Sequence, residues 1–395
     1  MKRPSGSLGA LPFVLAVFAA SRLLFMGAGA LAAAFIADAE PAGDPLGPGG
    51  VFGYWARWDG AWYSEIATGG YDARYPASTA FFPLYPLLIR LGTLVGGGPA
   101  LWGVAISLAA TFFALYFVYR IAERLYDTRA ARAAALVTAF FPTAFFLNAV
   151  YTEALFLALS AGCIWAAMVR RELLLAGALG ALAAATRSLG VLLVIPLAVE
   201  WLRYRREIGA PGLLSAALAP AGTAAYLAFL WVRFGEPLVS LGQQEDYWGR
   251  EPASPVATLS AAWSAAGDGA SYLARPLELL ASSTAGPTLS ASNTLNLIFL
   301  GLFLVAMGAG VMLLPPGLSL YALALVLAGM LAPNPDLPLM SLPRFLLGAF
   351  PMFLVIGLAL SRLPLGRLAL GAWVLVSGAA GVWMAALFVT WHWVA

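Results

Sequence analysis

The most regular feature of this sequence is a series of long apolar runs, most of them about 20 residues in length. A helix of that length crosses the roughly 30 Å hydrocarbon layer of a membrane. The runs lack the alternation of membrane β-strands, so they indicate helices. The pattern predicts an all-α polytopic membrane protein with about eleven spans, at 11–37, 100–119, 133–149, 151–169, 172–186, 188–202, 212–234, 293–314, 317–332, 343–361 and 368–391.

Composition supports this prediction. Hydrophobic residues make up 62% of the 395 positions and charged residues 10%, against about 25% charged residues in soluble domains. These values exclude a soluble globular protein and a disordered chain. The single cysteine, Cys163, excludes a disulfide framework and a cysteine zinc site, and the single histidine, His392, excludes a multi-histidine metal centre. We expect no metal, no cofactor and no nucleic-acid partner.

The basic residues predict the orientation of the chain. With the N-terminus in the cytoplasm, the short inner segments hold most of them, and the long outer segments hold most of the acids. The inner set comprises Lys2, Arg3, Arg120, Arg124, Arg129, Arg132, Arg170, Arg171, Arg203, Arg205, Arg206, Arg362 and Arg367. The first apolar run is too long for a typical signal peptide, so we expect it to be a retained helix.

The whole chain, 1–395, is predicted to be one membrane domain with two long outer loops, 38–99 and 235–292. Loops of this length within compact proteins are usually functional. The first loop has a Gly- and Pro-rich start at 41–50. The second has its most concentrated polar cluster at Gln243, Glu245 and Asp246, which could cover a site.

The first outer loop also contains an aromatic and charged segment at 54–67. At 3.6 residues per turn, Trp55, Trp58, Trp62 and Ile66 share one face. Such a pattern is typical of an amphipathic helix that lies in the membrane interface, with its aromatic rings at the level of the headgroups.

Charged residues near membrane depth are the most informative candidates in so apolar a chain. Each costs roughly 2.5–3.5 kcal/mol at the centre of a membrane helix, so it usually faces a partner or a cavity. Six residues meet this description: Arg22, Arg57, Asp59, Glu153, Arg187 and Arg344.

Their positions leave two interpretations open for each. Asp59 could accept a proton from a hydroxyl nucleophile, or it could be a solvated acid paired with Arg57. Arg187 and Arg344 suit a phosphate, because the guanidinium donates bidentately and stays charged, but they could also reach out to lipid headgroups. Glu153 could bind substrate or interact with a helix dipole. His392, between two tryptophans, is expected to be an interfacial residue rather than a ligand.

Several motifs, taken together, resemble one known family. They occur at 57–71 (RWDGAWYSEIATGGY), 81–86 (FFPLYP), 141–146 (FPTAFF), 151–156 (YTEALF), 186–190 (TRSLG), 343–345 (PRF) and 350–351 (FP). In this order the chain resembles the PIG-V-like mannosyltransferases, the GPI mannosyltransferase 2 family within the GT-C class of membrane glycosyltransferases. It departs from that pattern at Leu189, where the family often has Asn, and at Phe345, where it often has Tyr.

The resemblance implies a GT-C-type helix bundle and a mannosyltransferase that uses a polyprenyl-phosphate donor. It implies that Asp59 is the base and that Arg187 and Arg344 bind the donor phosphate. The acceptor would be a hydroxyl of a lipid, glycan or protein on the outer face, and transfer would invert the anomeric centre in a single displacement. Further substrate contacts are expected from Arg57, Trp58, Trp62, Tyr63, Glu65, Glu153, Gln243 and Asp246; the aromatic members could instead anchor the chain in the membrane.

Two other classes remain open at this point. A transporter or flippase for a lipid-linked glycan would also have many spans and intramembrane arginines. A non-catalytic GT-C-like assembly subunit would share the fold. The sequence is rich in Ala, Gly and Arg and has a single lysine, Lys2, which is typical of a GC-rich prokaryotic genome. We therefore expect the protein in a prokaryotic plasma membrane, or in the ER membrane if its source is a eukaryote.

Overall fold

The computed structural model describes residues 9–39, 50–267, 269–282 and 284–394. Every regular element within these ranges is helical, which confirms the predicted fold class. In the described part of the chain, six helices are long and apolar enough to cross a membrane, or seven if one bent pair counts as a span. The chain is therefore an integral, multi-pass membrane protein. The count of eleven spans is not confirmed, and the orientation stays a prediction.

The described residues before 235 contain eleven α-helices: α1 (Ala10–Phe35), α2 (Gly50–Gly53), α3 (Asp59–Gly69), α4 (Leu84–Thr93), α5 (Pro99–Leu125), α6 (Thr128–Ala139), α7 (Glu153–Trp165), α8 (Leu173–Thr186), α9 (Val194–Ile208), α10 (Ala210–Leu218) and α11 (Ala221–Phe234). Short 3₁₀ helices occur at Tyr54–Ala56, Pro76–Ala80, Pro142–Leu147 and Ser188–Leu193, and a π-helical turn at Ala166–Arg170.

From residue 235 onward, the part of the chain that the structure describes contains nine more: α12 (Val239–Asp246), α13 (Pro255–Ala265), α14 (Gly269–Leu273), α15 (Pro276–Leu280), α16 (Ala285–Leu313), α17 (Pro316–Ala328), α18 (Leu342–Phe345), α19 (Phe350–Arg362) and α20 (Gly366–Val389). A 3₁₀ turn at Leu346–Gly348 follows α18. Residues 235–292 are thus built from the short helices α12 to α15 and the start of α16. We keep the names first and second outer loop for residues 38–99 and 235–292 as labels, since their side of the membrane stays a prediction.

The centre of the bundle is formed by α5, α6, α7 and α19, and α1 packs against α20 beside it. Small residues allow the close approach of α6 and α19: a methyl group added at Gly357 would lie 2.5 Å from the backbone nitrogen of Ala134. Packing of this kind drives helix association in membranes, where burial of apolar surface contributes little.

The span expected at 133–149 is wrong, because the chain breaks there. Helix α6 ends at Ala139, and the 3₁₀ helix that follows begins at Pro142, which has no N–H to continue the ladder. The buried guanidinium of Arg22 donates to the carbonyls of Ala139 (2.9 Å) and Ala144 (2.8 Å) and to the side chain of Asn148 (2.8 Å). Arg22 therefore satisfies the acceptors that the break exposes, which irregular backbone inside a membrane protein requires.

Two further expected spans, 188–202 and 343–361, are also interrupted. The first divides into a 3₁₀ helix and α9, and the second bends by 82° between the α18 segment and α19. Close packing keeps the first break in place, since a methyl group at Gly190 would lie 2.3 Å from the backbone nitrogen of Ala184. At the second break, Pro343 lies in the first turn of α18 and Pro351 in the first turn of α19, positions that proline favours.

The helix expected within 54–67 starts later than its pattern indicates. Trp58 has a φ of 57°, so α3 begins at Asp59 and Trp55 belongs to a separate, buried turn. The ring of Trp55 stacks on Phe388 of α20, with centroids 6.2 Å apart. The Gly- and Pro-rich start of this loop, at 41–49, and the basic residues Lys2 and Arg3 lie outside the described residues.

Candidate active site

Asp59 is held at the start of α3 by contacts of its backbone. Its N–H donates to the hydroxyl of Tyr151 (3.1 Å), which in turn donates to the carbonyl of Arg57 (3.3 Å). The carboxylate forms an ion pair with Arg344, with Oδ2 2.8 Å from Nη1, and remains 26% exposed. Asp59 is therefore a fixed, partly accessible acid whose partner is Arg344 and not Arg57.

Glu153 links two of the predicted arginines. Its Oε1 lies 2.6 Å from Nη1 of Arg187 and 3.1 Å from Nε of Arg344, and its side chain is 2% exposed. Arg187 also donates to the hydroxyl of Thr152 (3.3 Å). Asp59, Arg344, Glu153 and Arg187 thus form one continuous set of alternating charges, which we call the charge cluster. Because two acids face two arginines over short distances, the cluster is electrically neutral.

Each member of the charge cluster lies where a helix begins or breaks. Asp59 and Glu153 are the first residues of α3 and α7. Arg187 has extended backbone between α8 and the next 3₁₀ helix, and Arg344 lies in the short helix α18 before the 82° bend. Non-helical backbone at membrane depth occurs where it is buried in protein or lines a water-filled cavity, since its free backbone groups need polar neighbours.

Sequence reasoning did not single out Arg250, which follows α12 in the second outer loop. The ring centroid of Phe345 lies 5.8 Å from the guanidinium carbon of Arg250, 4.5 Å from that of Arg187 and 5.1 Å from that of Arg344. Burial lowers the pKa of Arg250 to about 10, which leaves the side chain charged at neutral pH. The signal in the sequence was its position directly after the polar cluster at 243–246.

The aromatic residues of the first outer loop make contacts across the site. Trp62 stacks on Phe81 (5.7 Å between centroids) and meets Tyr247 of the second outer loop edge-on (5.6 Å). Trp58 lies between two rings of the C-terminal segment, Trp391 (5.2 Å) and Trp393 (5.5 Å). The two outer loops and the C-terminus therefore meet around Asp59.

Tyr63 is buried beneath this surface. Its hydroxyl lies 3.2 Å from that of Thr152, next to the charge cluster, and its ring packs edge-on against Phe81 and Tyr85. This placement gives Tyr63 contact with the cluster through Thr152 and leaves little of its ring open.

The other predicted substrate residues are not gathered at the cluster. Arg57 is buried and pairs with Asp38 (2.8 Å), with a further bond to the carbonyl of Val389. Glu65 and Asp246 are exposed and Gln243 is half-buried. None of these last three side chains has a hydrogen bond or ion pair within the described ranges.

Both ring nitrogens of His392 contact groups of the protein itself. Its Nδ1 lies 2.8 Å from the hydroxyl of Thr390, and its Nε2 lies 3.0 Å from the carbonyl of Ser282, so it connects the C-terminal segment to the second outer loop. Desolvation lowers the pKa of His392 below its usual value. Among the residues that the structure describes, no three His, Cys, Asp or Glu side chains are grouped as a metal site would need.

The fold is that of the GT-C glycosyltransferases, a class of multi-pass membrane proteins. The chain is similar to the crystal structure of ArnT from Cupriavidus metallidurans bound to undecaprenyl phosphate, with a TM-score of 0.51, 15% identity, and coverage of 93% of this chain and 62% of ArnT. It is similar to the Archaeoglobus fulgidus oligosaccharyltransferase in complex with Zn and sulfate, with a TM-score of 0.51, 14% identity, and coverage of 96% and 53%. The chain thus spans little more than half the length of these structures.

The sequence comparison specifies the relationship further. Residues 48–203 match the model of the family described as Mannosyltransferase (PIG-V), which confirms the resemblance seen in the motifs. No curated protein sequence matches the chain. The matched segment includes Asp59, Glu153 and Arg187, whereas Arg344 and Arg250 lie beyond it. The tertiary structure alone brings those two arginines to the matched segment.

Proposed function

We propose that this protein is a membrane glycosyltransferase that moves mannose from a polyprenyl-phosphate donor to a hydroxyl of a lipid, glycan or protein on the outer face. The observation that carries the proposal is the ion pair between Asp59 and Arg344, in which a partly exposed carboxylate lies directly beside a cationic side chain. Transfer from a sugar phosphate requires a general base for the acceptor hydroxyl and a cation for the phosphate that leaves.

The chemistry follows from these two groups. Asp59 accepts the proton of the acceptor hydroxyl as its oxygen forms a bond to the anomeric carbon. The bond from that carbon to the phosphate oxygen breaks at the same time, and its electron pair leaves with the polyprenyl phosphate. The anomeric centre is inverted, and no covalent enzyme intermediate forms.

The phosphate gains one negative charge as the glycosidic bond breaks. A guanidinium fixed beside the leaving oxygen stabilises that charge more in the transition state than in the bound donor. Arg344 lies 2.8 Å from the base, so one side chain could contact the leaving phosphate while Asp59 contacts the attacking hydroxyl. A donor that binds Arg344 would also compete with Asp59 for the guanidinium and so release the carboxylate for its role as base.

The comparisons support the choice of donor and sugar. The ArnT structure of the same fold was obtained with undecaprenyl phosphate, a lipid whose phosphate belongs at the membrane interface. Mannose is proposed from the family model alone. The many exposed apolar side chains of the bundle, such as Leu23, Val232 and Met312, suit a surface in contact with lipid tails.

Donor consumption by the purified full-length protein tests the proposal. Polyprenyl-phosphomannose is supplied with a lipid extract of the source membrane, and mannosyl transfer is compared between the wild type, Asp59→Asn and Asp72→Asn. Asp72 is a suitable control because it lies in the same loop, pairs with the exposed Arg74 (2.7 Å) and receives the same isosteric change.

The expected result is transfer that falls roughly 10²-fold or more in Asp59→Asn and stays near the wild-type rate in Asp72→Asn. Full transfer by Asp59→Asn would refute the role of Asp59. Consumption of polyprenyl phosphates that carry other sugars, without use of the mannosyl donor, would retain the class and exclude mannose. If no donor is consumed, a transporter or assembly subunit becomes the better assignment.

A further inference from the structure

The ring of Phe345 is in contact with the side chains of three arginines. The guanidinium carbons of Arg187, Arg344 and Arg250 lie 4.5, 5.1 and 5.8 Å from the ring centroid of Phe345. Like charges at this spacing repel one another, so their arrangement around one ring needs compensating anions. Asp59 and Glu153 supply two of these.

Of the three arginines around Phe345, Arg250 is the one without an ion pair to an acid among the described residues. Within the described part of the chain, its side chain bonds to two backbone carbonyls, those of Ala332 (3.2 Å) and Met340 (3.1 Å), and to no carboxylate. The charge cluster is neutral by itself, since its two arginines are matched by two acids. The charge cluster and Arg250 together comprise three arginines and two acids, so these five side chains have one more positive than negative charge.

That excess corresponds to the charge of one class of ligand. A sugar joined to a polyprenyl chain through a single phosphate is a phosphodiester with one negative charge. After transfer, the polyprenyl phosphate that leaves carries up to two. An unmatched guanidinium beside the cluster can neutralise the first charge in the bound donor and interact with the second as it develops.

Contacts between the second outer loop and the segment that follows α17 hold Arg250 in a fixed position. The amide of Asn334 donates to the carbonyl of Trp248 (2.9 Å), and the N–H of Glu251 donates to the carbonyl of Pro333 (3.1 Å). Gly249 between them has a φ of 59°, a conformation that favours glycine. A group that is already ordered loses little freedom when it binds a ligand.

We propose that Arg250 is a donor-binding residue that contacts the phosphate of the lipid-linked sugar and makes the otherwise neutral cluster an anion site. This inference deepens the proposed function and rests on it. It assigns to the second outer loop the capture of the phosphate, whereas Arg344 and Arg187 remain paired with Asp59 and Glu153 until the donor arrives.

The test compares binding of a lipid phosphate with binding of the matching uncharged lipid. Undecaprenyl phosphate and undecaprenol are titrated into the detergent-solubilised full-length chain, and the shift in melting temperature is measured against the lipid-free value of each variant. The variants are Arg250→Gln, Arg250→Lys and the control Arg275→Gln. Arg275 lies in the same loop, but it is exposed and pairs with the exposed Glu278 (3.6 Å).

The wild type is expected to bind the phosphate more tightly than the alcohol. Arg250→Gln should weaken phosphate binding roughly tenfold to a hundredfold, because one charged hydrogen-bond partner is lost, and it should bind the alcohol as the wild type does. Arg250→Lys should fall between the two, since lysine keeps the charge without the planar fork. Arg275→Gln should match the wild type.

The inference would be overturned if Arg250→Gln preferred the phosphate over the alcohol as strongly as the wild type does. It would also be overturned if the wild type bound the two lipids equally well. If Arg250→Gln does not fold, Arg250→Lys decides the question, because unchanged phosphate binding together with a lower melting temperature would assign Arg250 a structural role only. Sugar transfer is measured separately. A wild type that prefers the phosphate through Arg250 but transfers no sugar would refute the proposed function and leave only a lipid-phosphate site at Arg250, without a role in sugar donation.

Discussion

The carboxylate of Asp59 and the guanidinium of Arg344 lie 2.8 Å apart, although one belongs to the first outer loop and the other to a short helix near the end of the chain. This pair joins the segment that matches the family model to a segment that the model does not cover. An acid that could activate a hydroxyl and a cation that could bind a leaving phosphate therefore share one contact.

The coupling of these two residues can be measured with a double-mutant cycle. We expect Asp59→Asn and Arg344→Gln each to lower the catalytic rate strongly. The double variant should be only slightly slower than the worse single variant, because side chains that act as one unit are not additive. The measurement is kcat/KM for donor in all four proteins. Losses that simply multiply would show that the two side chains act independently.

Glu153 should be important for stability as well as for the site. Its carboxylate is buried between Arg187 (2.6 Å) and Arg344 (3.1 Å), so Glu153→Gln leaves two guanidiniums with one acid. Removal of one partner from a buried ion pair destabilises proteins by about 3–5 kcal/mol.

Thermal unfolding in detergent measures this effect. The control is Glu172→Gln, which removes an exposed acid that pairs with Arg170 and should change the melting temperature little. Equal melting temperatures of Glu153→Gln and the wild type would contradict the prediction.

Arg22 is expected to stabilise the fold without a role in catalysis. Its guanidinium bonds to the backbone of the broken segment after α6 and lies outside the charge cluster. Arg22→Met removes these donors from buried carbonyls, and each unsatisfied buried acceptor costs about 1–3 kcal/mol. The variant should melt at a lower temperature, while its folded fraction keeps the wild-type KM for donor. A raised KM with unchanged stability would place Arg22 in substrate binding.

Asp127 provides a prediction of pH dependence away from the site. Its side chain accepts a bond from the N–H of Ala130 (2.8 Å) at the start of α6 and pairs with Arg362 (2.6 Å). The backbone bond, followed by Arg362, holds the pKa of this carboxyl below its usual value. A lowered pKa in the folded state means that the stabilisation is present above the unfolded-state pKa of about 3.9 and is lost as the pH falls through the folded-state value.

Asp127→Ala should therefore lower stability at pH 7 by roughly 1 kcal/mol, the usual effect of losing a helix cap. Asp127→Asn keeps an acceptor for the cap and should lose less. The difference in melting temperature between Asp127→Ala and the wild type should shrink as the pH is lowered below about 4. A difference that is constant with pH would show that the ionised form of Asp127 does not matter.

Much of the fold could be predicted from the sequence because bilayer thickness sets the length of apolar runs. The helices α1, α5, α16 and α20 lie where hydropathy alone indicates them. The expected spans at 133–149, 188–202 and 343–361 differ because prolines and tightly packed glycines interrupt helices that remain apolar, and apolarity does not report such breaks.

Part of the candidate site could likewise be predicted from the sequence, and part could not. The rarity of charge in a membrane chain was enough to indicate Asp59, Glu153, Arg187 and Arg344, because an intramembrane charge is costly without a partner. The same reasoning did not separate Arg22, which supports a broken segment, from the four that meet. Arg250 was missed because a polar loop is a normal place for an arginine. Which charges become neighbours depends on where helices break and how the loops return, and only the tertiary structure decides this.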